Sequence, residues 1–114
     1  MGGFFETSDS HSSERHQPIR LPVRREDVFA AAKDMAADMK GWELVSADDE
    51  TRVLVCTKKG GMMAGNATIT ISVEGLEEVP STTVHAKSET KGGIMPRDKA
   101  NVGEFMMIFH RRIC

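Results

Sequence analysis

The phrase TKKGGMM at residues 57–63 returns nearly unchanged as TKGGIM at 90–95. Each copy sets lysine beside a Gly-Gly pair and follows it with large, flexible apolar side chains. Glycine pairs let backbone N–H groups turn toward a ligand, lysine adds a full positive charge, and methionine supplies adaptable apolar surface. Lys58, Lys59, Met62, Met63, Lys91, Met95 and Arg97 are therefore the candidate ligand-binding residues. A small anionic or amphipathic ligand, or a protein partner of that character, suits them. The same segments also read as plain solvated turns whose methionines fold over the end of a core. Neither is a phosphate loop, because the order GxxxxGK[ST] is absent.

Other reactive residues have ordinary explanations. His85 stands between Thr83 and Lys87 on the outward side of an alternating stretch, with no partner to make it a base. His110 opens the triplet HRR near the chain's end, where cations oppose the negative end of a helix dipole. His11 and His16 fall in a polar segment expected to be flexible. Cys56 and Cys114 lack any CxxC or Cys/His spacing and read as free thiols of a reducing compartment. No catalytic residue, cofactor or metal site is expected, and a binding module is favoured over an enzyme. One tryptophan and no tyrosine leave no stacking platform for nucleic acid.

The elements that position these residues follow from periodicity. Residues 1–17 are rich in Ser, Gly and charge and read as a disordered tail preceding a single domain over 18–114. The start MGGFFETS fails the myristoylation pattern at Glu6, no leader or apolar span is seen, and cytoplasm is the expected location. PIRLPV at 18–23 reads as an edge strand, confined there by its prolines. From Glu26 to Lys40 the stripe Val28, Phe29, Ala32, Met35, Ala36 and Met39 predicts an amphipathic helix that Gly41 terminates.

WELVSAD (42–48) and RVLVCTK (52–58) predict a hairpin. A two-residue turn at Asp49 and Glu50 would pair Leu44 with Val55 and Ser46 with Val53, turning those valines to the core. Leu54, Cys56, Val45, Thr68, Thr70, Thr83 and His85 would then share the outer face. NATITISVE and TTVHAKSE give two further strands, with Ala67, Ile69, Ile71, Val73, Val84 and Ala86 inward. Asp98 to Ile113 predicts a final helix capped by Asp98.

The predicted fold is α+β: an antiparallel sheet of four to five strands with two helices packed on one face, in the order β-α-β-β-β-β-α. Because direction reverses at each strand, both lysine–glycine segments should open at one edge of the sheet. A net charge of −2, 39% hydrophobic and 28% charged residues fit a soluble domain without a general affinity for anionic polymers. A peripheral membrane role through Met62, Met63 and Met95 ranks behind the binding module, since no strongly basic amphipathic helix is present. The alternative is a homo-oligomeric protein assembling through its outer sheet face or edge strand, so a monomer or a homodimer is expected.

The segments SETKGGIMPRDKANVGEF (88–105) and GWELVSAD (41–48) resemble small bacterial proteins of unknown function, with Ser88, Asp98 and Asn101 as the specific residues. The layout over 18–113 is also similar to a shortened helix-grip domain of the pollen-allergen and lipid-transfer superfamily. That resemblance implies a hydrophobic ligand held between the sheet and the final helix. The chain is short for curling a sheet around a large cavity, and no site residue is carried over.

Overall fold

A computed structural model describes residues 2–113. Its elements are β1 (Gly3–Glu6), a 3₁₀ turn (Glu14–His16), β2 (Ile19–Leu21), α1 (Arg25–Asp38), β3 (Trp42–Asp48), β4 (Val53–Lys59), the single-turn α2 (Gly61–Ala64), β5 (Asn66–Gly75), β6 (Thr82–Lys91) and α3 (Asp98–Ile113). The sheet is antiparallel, in the order β1-β6-β5-β4-β3, with β2 also on β6. Both long helices bury their apolar stripes against one face of it. The core joins Val28, Phe29, Ala32 and Met35 of α1 with Leu54, Ile69, Ile71 and Val84 of the strands and Val102, Phe105 and Phe109 of α3.

The inward faces of β5 and β6 follow the alternation, with Ala67, Ile69, Ile71, Val73, Val84 and Ala86 all buried. The hairpin register does not. Asp48 Oδ1 accepts the backbone N–H groups of Glu50 at 2.9 Å and Thr51 at 3.2 Å, and Arg52 N–H donates to the Asp48 carbonyl at 2.9 Å. The turn therefore spans residues 49–52, with Arg52 in the left-handed region at φ 57°. A bulge between Leu44 and Ser46 shifts the pairing again, so Leu44 faces Cys56 and Ser46 faces Val55. Leu54 and Cys56 are fully buried, while Val53 and Val55 are turned outward.

The N-terminal segment contributes two strands, and β2 is the edge strand expected from PIRLPV. Gly3–Glu6 pairs with Thr90 to Lys87, and Ile19–Leu21 pairs with Val84 to Thr82, so both cover the outer edge of β6. Between them the chain crosses α3, and an Arg20–Asp9 ion pair with two 2.9 Å hydrogen bonds closes the excursion. Phe5 stacks on His11 with ring centroids 4.7 Å apart and meets His16 edge-on at 5.0 Å. Ladder hydrogen bonds and this aromatic cluster offset the ordering entropy that composition alone set against the segment. Cys114 lies outside the described residues.

Candidate functional site

The two lysine–glycine segments meet at one edge of the sheet, where Asn66 of β5 pairs with Lys59 of β4 and Lys91 of β6. They are joined by backbone hydrogen bonds from Ile94 N–H to the Met62 carbonyl at 3.1 Å and from Met95 N–H to the Met63 carbonyl at 2.7 Å. Glycine is needed where they touch. A Cβ on Gly65 (φ 75°) would lie 2.8 Å from the Gly92 carbonyl oxygen, and one on Gly93 (φ 78°) 2.6 Å from the Gly65 nitrogen. The glycines thus serve close backbone apposition. The Gly60 and Gly65 amides are consumed within the 60–65 turn, by the carbonyls of Gly65 and Gly61.

Behind the joined loops lies a cleft of about 500 Å³ bounded by β4, β5, the 93–97 segment and the first turn of α3. Of the residues singled out from the sequence, Lys58, Met63, Met95 and Arg97 line it. Lys59, Met62 and Lys91 do not; they are exposed on the outer side of the loops. Gly60, Ala64, Gly65, Ala67, Pro96 and Asn101 complete the lining. The wall is largely apolar with two cations at its rim. Lys58 Nζ donates to Glu104 Oε1 at 2.9 Å and lies 5.8 Å from the centroid of the Trp42 ring, so its charge is partly neutralised. Arg97 makes no ion pair among the described residues.

Beside the cleft a buried polar cluster joins β6 to α3. Ser88 Oγ and Thr90 Oγ1 each donate to Asp98 Oδ1 at 2.6 Å, and Asn101 Nδ2 donates to Ser88 Oγ at 3.3 Å. Asp98 therefore directs its side chain to β6 and not to the helix start that it was expected to cap: its carboxylate is buried, and Oδ2 has no hydrogen-bond partner among the described residues. Residues 88 and 90 continue the inward face of Val84 and Ala86, and hydroxyls on such a face signal a polar partner on the element packed above. The sequence held that signal.

The comparisons bear on the architecture. No protein-family model matches the chain, and no curated protein sequence matches it. Among solved structures, it is similar to the ZhuI aromatase/cyclase from Streptomyces sp. R1128 at TM-score 0.57 and 8% identity, covering 98% of this chain and 86% of that one. The fold is helix-grip-like. A point mutant of norcoclaurine synthase from Thalictrum flavum, in complex with a transition-state analogue, is similar at TM-score 0.55 and 11% identity, covering 100% of this chain and 85% of that one. Ara h 8.0201 is similar at TM-score 0.54 and 10% identity, covering 98% and 99%. In this helix-grip chain Phe105, Met106 and Phe109 of α3 are fully buried in the core, and the cleft lies at the loop end of the sheet. No helix among the described residues is long and apolar enough to cross a membrane.

Proposed function

We propose that the protein is a non-enzymatic binding module that takes a small amphipathic ligand with an acidic group in the cleft beneath the joined loops. One observation carries the reading: Met63 and Met95 pack an apolar wall next to the Arg97 guanidinium within a single 500 Å³ space. An aliphatic or aromatic body would lie against the methionines and Ala67, and its acid would meet Arg97 in a charge-assisted contact. Binding of a transition-state analogue by the similar norcoclaurine synthase mutant supports a ligand-holding use of the fold. The buried Ser88–Asp98–Asn101 cluster fixes the start of α3 and thereby the position of Arg97.

The test is a titration with dodecanoate and with dodecanol, followed by the emission of Trp42, the chain's single tryptophan, which pairs with Lys58 at the same sheet edge. Dodecanoate should bind more tightly than dodecanol, and Arg97→Ala should remove most of the difference. Absence of binding by both probes, or a preference untouched by Arg97→Ala, overturns the assignment.

The second reading is self-association through the sheet. It is favoured by β3, which ends the strand order with a free edge and exposes Val45 beside the bulge. Sedimentation of a monomer at high concentration would remove it.

A further inference from the structure

Four features of the loop tip lie outside the cleft and are left unused by the ligand reading: Met62, Ile94, Lys59 and Lys91. Met62 is 85% and Ile94 69% exposed, next to Met63 at 56% and Met95 at 65%. Elsewhere the exposed large apolar side chains are Phe4 and Val45, each alone, and the pair Leu76 and Val79, so four together on one projection need a reason. The 62–63 and 94–95 hydrogen bonds make that projection one unit, displaying all four from a shared backbone platform.

Charge is distributed in the same sense. Residues 57–67 and 90–97 contain four cations and no Asp or Glu, although the whole chain is at −2. The opposite pole, formed by the turns after β3 and β5, carries Asp48, Asp49, Glu50, Glu74, Glu77 and Glu78 against Arg52, which pairs with Asp49 and Glu77, and Arg25, which pairs with Glu77, so it remains acidic on balance. The molecule is thus polarised along the strands. Its basic end is the end that bears the exposed methionines and isoleucine.

We propose that this tip docks on an anionic lipid bilayer, with Met62 and Ile94 entering the interfacial region and Lys59 and Lys91 meeting the headgroups. A water-soluble anionic partner would satisfy the lysines and leave the apolar side chains wet. A neutral apolar surface would satisfy only the latter. A bilayer with anionic headgroups satisfies both at one depth, and the acidic pole is then held away from the surface. The docking does not depend on whether the cleft takes a ligand, because none of these four side chains lines it.

The experiment is co-sedimentation of the full chain with phosphatidylcholine vesicles, with and without phosphatidylserine, at low and high salt. Binding is expected only with phosphatidylserine and should weaken with salt. Each basic side chain near such a surface is worth about a fivefold change in partition, so Lys59→Glu/Lys91→Glu should lower it about 25-fold or more. Met62→Ser/Ile94→Ser should also release the protein, while both double variants keep the dodecanoate titration of the wild type. Failure of the wild type to bind phosphatidylserine vesicles overturns the proposal and needs no variant to read. So does full binding by Met62→Ser/Ile94→Ser, which would reduce the interaction to adsorption of charge, and so does equal competition by soluble glycerophosphoserine, which would place a headgroup site off the bilayer. Loss of the dodecanoate titration in the wild type alone would count against the cleft and leave the docking intact.

Discussion

Ser88 donates its hydroxyl to Asp98 Oδ1 across 2.6 Å, tying the last strand to the first residue of the last helix. Thr90 donates to the same oxygen, so one buried carboxylate oxygen organises two hydroxyls. Removing the acceptor strands both. Asp98→Ala should destabilise the fold by about 3 kcal/mol, since each buried hydroxyl left without a partner costs on the order of 1–3 kcal/mol. Asp98→Asn retains a carbonyl oxygen at that position and should lose less. Urea unfolding of the two variants checks the order; an alanine variant as stable as wild type would show that the cluster does not hold α3.

Gly3 packs directly on that carboxylate. A Cβ there would overlap Asp98 Oδ2 and lie 2.7 Å from Pro96 Cβ, so β1 closes over the cluster only because position 3 lacks a side chain. Gly3→Ala should detach β1 from β6 without unfolding the core. Hydrogen exchange should then accelerate at Phe5 and Thr7 and stay slow along β5. Unchanged protection at Phe5 would mean that the strand is held by its ladder alone.

The crossing segment has a pH dependence of defined sign. Burial, and next the nearby Lys99 charge, hold the His16 imidazole below its ordinary pKa of 6.5, opposed by a hydrogen bond to the Lys99 backbone. Arg15 and His11 add further repulsion. The unfolded chain therefore binds more protons than the folded one in the window just below 6.5. His16's contribution is complete above that value and is lost as pH falls through the window. The protection of residues 8–17, referred to the intrinsic exchange rate at each pH, should therefore fall as pH drops below about 6.5, and His16→Phe should flatten the change. An unaltered profile in His16→Phe would assign the effect to other groups.

Glu104 restrains the cleft's second cation. Its 2.9 Å contact with Lys58 occupies an ammonium that otherwise stands at the cleft wall. Glu104→Gln should therefore tighten dodecanoate binding severalfold, most clearly at low salt, while Lys58→Ala should weaken it. Because both side chains are about one-third exposed, the stability change should stay below about 1 kcal/mol. Weaker binding by Glu104→Gln would indicate that the ion pair positions Lys58 instead of neutralising it.

Much of this architecture is legible in the residues. Alternation from Ala67 to Val73 gives the inward face of β5, and the stripe Val102, Phe105, Phe109 gives α3 with the bounds observed. Strand parity brings residues 58–66 and 91–97 to one edge without any knowledge of their contacts. β1 was not legible, because the hydrogen bonds that stabilise Gly3–Glu6 belong to the edge of β6, eighty or more residues away. The polar cluster was legible only in half: Ser88 and Thr90 fall on the inward face of β6, but Asp98 and Asn101 gain meaning only when α3 lies over them. The hairpin register failed for a local reason: Asp48 and a left-handed Arg52 make a four-residue turn where the composition DDET allowed a two-residue one.

That register makes the sharpest stability prediction, because two adjacent residues exchange roles between the two pairings. Leu54 and Cys56 lie inward opposite Ile71 and Ile69, and Val55 lies outward opposite Thr70. Leu54→Ala should cost about 3 kcal/mol through lost burial and the cavity left behind, whereas Val55→Ala should cost about 0.5 kcal/mol. Burial also pushes the Cys56 thiol up to about 11, so in a Cys114→Ser background the native chain should resist thiol reagents at neutral pH and react only on unfolding. Urea titrations of the two alanine variants, followed by Cys56 labelling, read both consequences. A two-residue turn would instead place Val55 in the core and Cys56 in solvent, so a costly Val55→Ala together with rapid labelling of the folded chain would overturn the register.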